Sequence, residues 1–226
     1  QPLVSTDENI ILSVNGEIYN HKGLKDIVLH GSYDFKTKSD CEVIIPLYQK
    51  YWHPFVNVLD GVFAFFLYDK ENRDFFIARD PIGVNPLYYA ENEIGELCVA
   101  SEFKAIRLWD TKCEIKIFPP GHYMSKTREI IPYYTPVWET KKILDLDYQI
   151  TEKEMCRKVR ESLTNAVEKR LMADVPFGVL LSGGLDSSLT TSITNKILKE
   201  RHNKGWGDSL HSFSIGLKGA PDLKYA

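Results

Sequence analysis

From Ile10 to about Tyr134 the chain is built of short apolar or alternating runs, each bounded by turn residues. The runs are Ile10-Ile-Leu-Ser-Val14, Val62 to Tyr68, Phe75-Phe-Ile-Ala78, Leu97-Cys-Val-Ala100, Ile115-Lys-Ile117 and His122-Tyr-Met124. Runs of this length, rich in β-branched and aromatic residues, predict the strands of a mostly antiparallel sheet. The polar segments Asp69 to Arg73 and Asn92 to Glu96 predict hairpin loops. Two helices interrupt the strands. One covers Leu24 to Leu29; the other follows Ser39, where Ser39-Asp-Cys-Glu42 has capping-box spacing and Val43, Ile44 and Leu47 share a face. Asp40 then lies near a helix N-terminus.

After Tyr134 the pattern changes. A polar linker from Trp138 through Lys142 onward leads to a helix expected over Glu152 to Met172, with Met155, Val159, Leu163, Val167 and Leu171 on one stripe. Strand Val175 to Leu181, a glycine loop, helix Ser187 to Leu198 and strand Leu210 to Ile215 then follow, the order of a parallel βαβ unit. The expectation is an α+β domain over 1–145 followed by an α/β domain over 146–226, with the boundary near residue 145.

The 226 residues, 43% hydrophobic and 12% aromatic, suffice for a substantial core. A net charge of -3, from 28 basic and 31 acidic residues, gives no footprint for nucleic acid or an anionic membrane surface. No apolar run approaches the roughly 20 residues of a membrane span. Cys41, Cys98, Cys113 and Cys156 form no C-x-x-C pair and predict free thiols in a reducing, cytoplasmic setting. The six histidines lack metal-ligand spacing, so no metal site is assigned. Arg79-Asp-Pro-Ile-Gly83 predicts a turn supported by an arginine salt bridge.

Chemistry concentrates in two places. Ser182-Gly-Gly-Leu-Asp-Ser-Ser188 lies between a strand and a helix whose Leu189, Ile193 and Ile197 share a face. Backbone N–H groups there would converge on an anion at the positive end of the helix dipole, glycine allowing close approach and serine adding donors. Without the lysine of G-x-x-x-x-G-K-[ST] it is no Walker A loop, nor is it a G-x-G-x-x-G fingerprint. In the other place, Asn15-Gly-Glu-Ile-Tyr-Asn20 follows a strand. An asparagine amide beside a glycine N–H could serve as paired oxyanion donors, and Glu17 or Asp40 could hold a substrate ammonium.

The loop resembles the PP-loop of the ATP pyrophosphatase family. That resemblance implies ATP bound through Ser182, Gly183, Gly184, Asp186, Ser187 and Gly216, with Leu180 and Ile215 against the adenosine part. It also implies attack at the α-phosphorus rather than γ-phosphoryl transfer. The strings "VNGEIYNH", "KSDCEVI", "LDGVFAF", "ARDPIGVNPLYY", "ASEFKAI" and "FPPGHY" run in the order of class II glutamine amidotransferase domains. With "DVPFGVLLSGGLDSS" and "LHSFSIGL" they resemble the glutamine-dependent asparagine synthetase family over essentially the whole chain.

The resemblance implies an N-terminal-nucleophile αββα sandwich followed by the start of a parallel-sheet PP-loop domain. It assigns the oxyanion hole to Asn15 and Gly16 and the glutamine α-amino group to Glu17 and Asp40. ATP, with Mg²⁺ as counter-ion and Asp186 as a candidate to position it, would adenylate aspartate; glutamine would supply ammonia. The implied partners are these small molecules, and a homo-oligomer is compatible with them. The family nucleophile is a cysteine at the first position, where this chain has Gln1, which has no nucleophilic side chain. The expectation is that the sequence begins after its nucleophile, is also cut short in its second domain, and is inactive by itself; Cys41 is the rival thiol. Related β-lactam-forming synthetases and a non-catalytic glutamine- and ATP-binding paralogue are the alternative readings.

Overall fold

The computed structural model describes residues 1–28, 30–31, 33–140, 150–173, 175–201, 209–217, 219–220 and 222–225. The chain divides into two compact units, Gln1–Leu146 and Asp147–Ala226. The expected boundary near residue 145, the linker from residue 141 onward and Leu29 lie outside the described residues.

In the first unit β1 (Leu3–Val4), β2 (Ile10–Ile18), β3 (Gly61–Asp69), β4 (Asp74–Arg79), β8 (His122–Met124) and β9 (Ile130–Pro132) form one sheet in the order β1-β2-β3-β4-β8-β9. All its pairings are antiparallel, with Ile10 opposite Asp69 and Asp69 opposite Asp74. A smaller sheet, β6-β5-β7, uses β5 (Tyr88–Glu91), β6 (Leu97–Ala100) and β7 (Lys116–Ile117). The predicted hairpin loops at 69–73 and 92–96 connect β3 to β4 and β5 to β6.

Strand alternation builds the layers. On β3 and β4, Phe63, Phe65, Leu67, Phe76 and Ala78 face a core shared with α2 (Ile44–Tyr51). The residues between them, Ala64, Phe66, Phe75 and Ile77, face a second core with Tyr89, Leu97 and Val99 of the small sheet. The outer face of that sheet, Tyr88, Ala90, Cys98 and Ala100, packs with Ile106 of α3 (Phe103–Trp109). Helix, sheet, sheet and helix therefore stack as αββα, because both faces of β3 to β6 are apolar enough to be covered.

Near the chain start, α1 (His21–Gly23) runs into a π-helical turn, Leu24–Val28. At Ser39 half of the predicted capping box forms. Ser39 Oγ accepts from Cys41 N–H at 3.3 Å, opening a 3₁₀ turn, Asp40–Val43, that leads into α2. Glu42 does not reach back to Ser39. It is 1% exposed and its carboxylate accepts from Lys36 N–H and Thr37 N–H, each at 2.8 Å. A buried carboxylate needs such donors, and the preceding loop has two to give.

The second unit follows the short helix α4 (Val137–Thr140) in sequence. Helix α5 (Glu152–Arg170) is capped by Thr151, whose Oγ1 accepts from Glu154 N–H at 3.3 Å. Strand β10 (Gly178–Leu180) pairs in parallel with β11 (His211–Phe213), and α6 (Leu185–Arg201) lies between them in sequence: the βαβ order. Met155, Val159 and Leu163 of α5 and Leu189, Ile193 and Ile197 of α6 line a groove of about 590 Å³. Among the described residues no helix is long and apolar enough to cross a membrane.

Candidate functional site

Asn15, Gly16 and Glu17 occupy the C-terminal half of β2. Strand parity decides where their groups point. Tyr19 N–H donates to Asp60 C=O at 2.7 Å, so in the β2–β3 ladder Glu17/Val62 and Asn15/Ala64 are hydrogen-bonded pairs and Gly16/Phe63 is not. The N–H and C=O of Val14, Gly16 and Ile18 therefore turn to the opposite edge. Val14 exchanges bonds there with the Gln1 side-chain amide, accepting from Nε2 at 2.5 Å and donating to Oε1 at 2.9 Å. Ile18 N–H donates to Asp40 Oδ2 at 2.6 Å, and Gly16 C=O accepts from Cys41 Sγ at 3.4 Å. Among the described residues nothing accepts from Gly16 N–H, which is left open between two occupied positions of one edge.

Asn15 and Glu17 are exposed on the face of β2 opposite its buried Val14 and Ile18. A side chain at Gly16 is excluded. Its Cβ would collide with the Val62 carbonyl oxygen and stand 2.7 Å from Phe63 Cα, so glycine lets β2 and β3 close up beside the open N–H. The structure thus brings Asn15, Gly16, Glu17 and Asp40 to one end of β2, with Asp40 delivered by the 3₁₀ turn that Ser39 caps.

Cys41 lies beside them. It is 4% exposed, and burial, with the Asp40 and Glu17 carboxylates adding to it, pushes the thiol up to about 12 from its ordinary 9.0. The low-pKa setting of a reactive cysteine is reversed here.

The Arg79–Gly83 turn is present, but its arginine makes no salt bridge to Asp80. Arg79, buried on β4, donates from Nε to Asn85 C=O, from Nη1 to Phe118 C=O and from Nη2 to Gly83 C=O, each at 2.8 Å. Asp80, 1% exposed, accepts from Ile82 N–H at 2.9 Å, Gly83 N–H at 2.7 Å, Val84 N–H at 3.1 Å and Phe63 N–H at 3.2 Å. Tyr133 Oη donates to Arg79 C=O at 2.8 Å, and burial plus the Asp80 charge hold that phenol far above its ordinary value. The clamped turn ends on Asn85, whose Nδ2 donates to Asn15 C=O at 2.8 Å. Sequence reasoning missed Asn85. Only its place in "GVNPLYY", after a turn, hinted at a fixed position.

In the second unit β10 ends at Leu180, and Ser182, Gly183 and Gly184 turn the chain into α6. Ser182 Oγ and Ser187 Oγ are 3.0 Å apart, and Ser187 Oγ donates to Gly184 C=O at 3.2 Å. Gly183 has φ 81°, a left-handed value suited to glycine. Asp186 is in the first turn of α6, while Ile215 and Gly216 follow β11. These residues gather at the carboxyl ends of two parallel strands, where open α/β sheets take ligands. Leu180 and Ile215 are 83% and 100% exposed, apolar surface beside a polar loop.

A glutamine amidotransferase domain model matches residues 1–128, more than half of the sequence. The chain belongs to the glutamine amidotransferase family. An asparagine synthase model matches residues 158–226. The whole chain is 47% identical to a probable glutamine-hydrolysing asparagine synthetase of Dictyostelium discoideum and covers 41% of it. It is 46% identical to a glutamine-hydrolysing asparagine synthetase of Zea mays and covers 37% of that protein. The chain thus spans about two fifths of the length of the curated relatives it matches. Among solved structures, glutamine phosphoribosylpyrophosphate amidotransferase from B. subtilis, complexed with ADP and GMP, aligns over 88% of this chain and 47% of its own. The TM-score is 0.51 at 20% identity, a likeness of fold. The structure of an allosteric regulatory enzyme of purine biosynthesis aligns over 95% of this chain and 47% of its own, with TM-score 0.51 and 19% identity.

Proposed function

We propose that this chain is the amidotransferase unit and the start of the synthetase unit of an ATP-dependent, glutamine-hydrolysing asparagine synthetase. The observation that carries the reading is the open Gly16 N–H, set between the exposed Asn15 amide and the Glu17 and Asp40 carboxylates at one end of β2. Glutamine binds with its α-ammonium at Glu17 and Asp40 and its amide carbonyl at Asn15 Nδ2 and Gly16 N–H. The tetrahedral oxyanion is stabilised by those two donors as a cysteine thiolate attacks. Cys41 contributes a neutral thiol and no bond-making.

The loop from Ser182 to Ser187 takes the phosphates of ATP, and Leu180, Ile215 and Gly216 take its adenosine part. The exposed apolar flanks and the N-terminus of a 17-residue helix suit a nucleotide in both chemistry and charge. Among the described residues no group of three His, Cys, Asp or Glu could hold a metal. A lone carboxylate, Asp186, fits Mg²⁺ that arrives on the triphosphate and keeps most of its water. Mg²⁺ held there by Asp186 would neutralise phosphate charge. Aspartate carboxylate attacks the α-phosphorus, pyrophosphate leaves, and ammonia displaces AMP to give asparagine. Free thiols and these metabolites suit a soluble, cytoplasmic setting.

The test is product analysis of the complete protein with aspartate, glutamine and ATP. AMP, pyrophosphate, glutamate and asparagine are expected in equal amounts; ADP and phosphate would refute the adenylation reading. Turnover with another acyl substrate but not with aspartate would move the assignment to the β-lactam-forming relatives.

A further inference from the structure

Asn15 C=O and Gly16 N–H are the two ends of one peptide group. The bond from Asn85 Nδ2 to Asn15 C=O, 2.8 Å long, therefore fixes the plane on which the open Gly16 N–H is carried. Asn15 C=O already faces Ala64 in the ladder, so Asn85 supplies a second donor to the same oxygen. A donor at the carbonyl end withdraws electron density along the peptide and makes the N–H at the other end a stronger donor.

Asn85 is itself held. Arg79 Nε bonds its carbonyl at 2.8 Å, and the turn before it is fixed by Asp80 through Ile82, Gly83 and Val84. Gly83, at φ 72°, lets that turn pack where a Cβ would stand 2.7 Å from Pro120 Cγ. The path runs from buried Arg79 and Asp80 through a rigid turn to one side-chain amide and on to one peptide plane. We propose that Asn85 is a positioning residue for glutamine, orienting and polarising the Asn15–Gly16 peptide so that Gly16 N–H meets the substrate amide oxygen. The inference rests on the glutamine reading of this site.

The experiment uses the ¹⁵N-labelled 226-residue chain, titrated with L-glutamine and followed at the Gly16 amide, in the native sequence and in Asn85→Ala and Asn85→Asp. In the native chain glutamine binds and moves the Gly16 resonance. Asn85→Ala shifts the Gly16 amide proton upfield before ligand is added and weakens glutamine binding about three- to tenfold, as loss of a neutral hydrogen bond does. Asn85→Asp is isosteric but sets a carboxylate oxygen against the Asn15 oxygen, so it weakens binding at least as much. A space-filling residue would tolerate it. Resonances of β9 and α3 serve as the control for an intact fold. Native binding and an unmoved Gly16 amide in both variants would overturn the positioning role and leave the glutamine site standing. A native chain whose Gly16 amide ignores glutamine would overturn both.

Discussion

The sharpest test of the site's electrostatics is the reactivity of Cys41. Its thiol is buried, bonds to Gly16 C=O at 3.4 Å and lies beside the Asp40 and Glu17 carboxylates. A rise from 9.0 to about 12 is about three tenfold steps in ionisation, so at about pH 8 the thiolate population is about a thousandfold below that of an ordinary cysteine. Cys156 is exposed and provides the internal reference. With limiting iodoacetamide and peptide mass spectrometry, Cys156 is alkylated first and Cys41 lags far behind it, because burial both suppresses its thiolate and blocks the reagent. Asp40→Asn removes a charge and the Asp40 Oδ2 acceptor 3.7 Å from Sγ, so it lowers the thiol pKa and speeds alkylation at Cys41. Burial, the largest cause, persists and keeps the rate below that of Cys156. Alkylation of Cys41 as fast as Cys156 in the folded chain would refute the reasoning and restore Cys41 as a candidate nucleophile. Steady glutamine hydrolysis by this chain would do the same.

Other outcomes follow from the same contacts. Asp80→Ala leaves the buried Phe63 N–H without its acceptor, at about 1–3 kcal/mol, and removes the side-chain acceptor of the part-buried Ile82, Gly83 and Val84 N–H groups, so urea unfolding should show a loss of about 1–3 kcal/mol. Gly16→Ala forces β2 from β3 and should cost about 1–3 kcal/mol by overpacking, with glutamine binding lost in the same variant. The Cys41 thiol is raised in the folded state, so its contribution is whole below pH 9.0 and is lost as pH climbs towards about 12. The urea midpoint should therefore fall across that window, and less so in Cys41→Ala.

Much of this architecture is legible in sequence. The runs at Val62 to Tyr68 and Phe75 to Ala78 announce their strands, and the double-sided apolar character that covers both faces is in the same letters. Local patterns are read less well where a distant group intervenes. The Ser39–Glu42 spacing has the right cap, yet Glu42 turns to the Lys36 and Thr37 N–H groups while the Ser39 N–H donates to Thr37 Oγ1. Arg79 next to Asp80 suggested an ion pair, but β4 directs the guanidinium to three carbonyls and leaves Asp80 to backbone amides. Asn15 and Gly16 stood out as a polar pair after a strand. That the Gly16 N–H is open depends on the β2–β3 register, and Asn85 reaches Asn15 across 70 positions of chain. No local pattern encodes either.

The β2–β3 register also bears on how the molecule is made. Strands β3 and β4 close through a short loop, Asp69 opposite Asp74, whereas β2 must find β3 with Ile10 opposite Asp69. Closing a short loop loses little chain entropy and occurs in microseconds, while long-range pairing waits on a rarer encounter. The hairpin then nucleates the sheet and β2 docks late, carrying Asn15 and Gly16 with it. A nascent chain would have no affinity for glutamine until β2 is home, and pulse-labelled hydrogen exchange should protect β4 amides before those of β2.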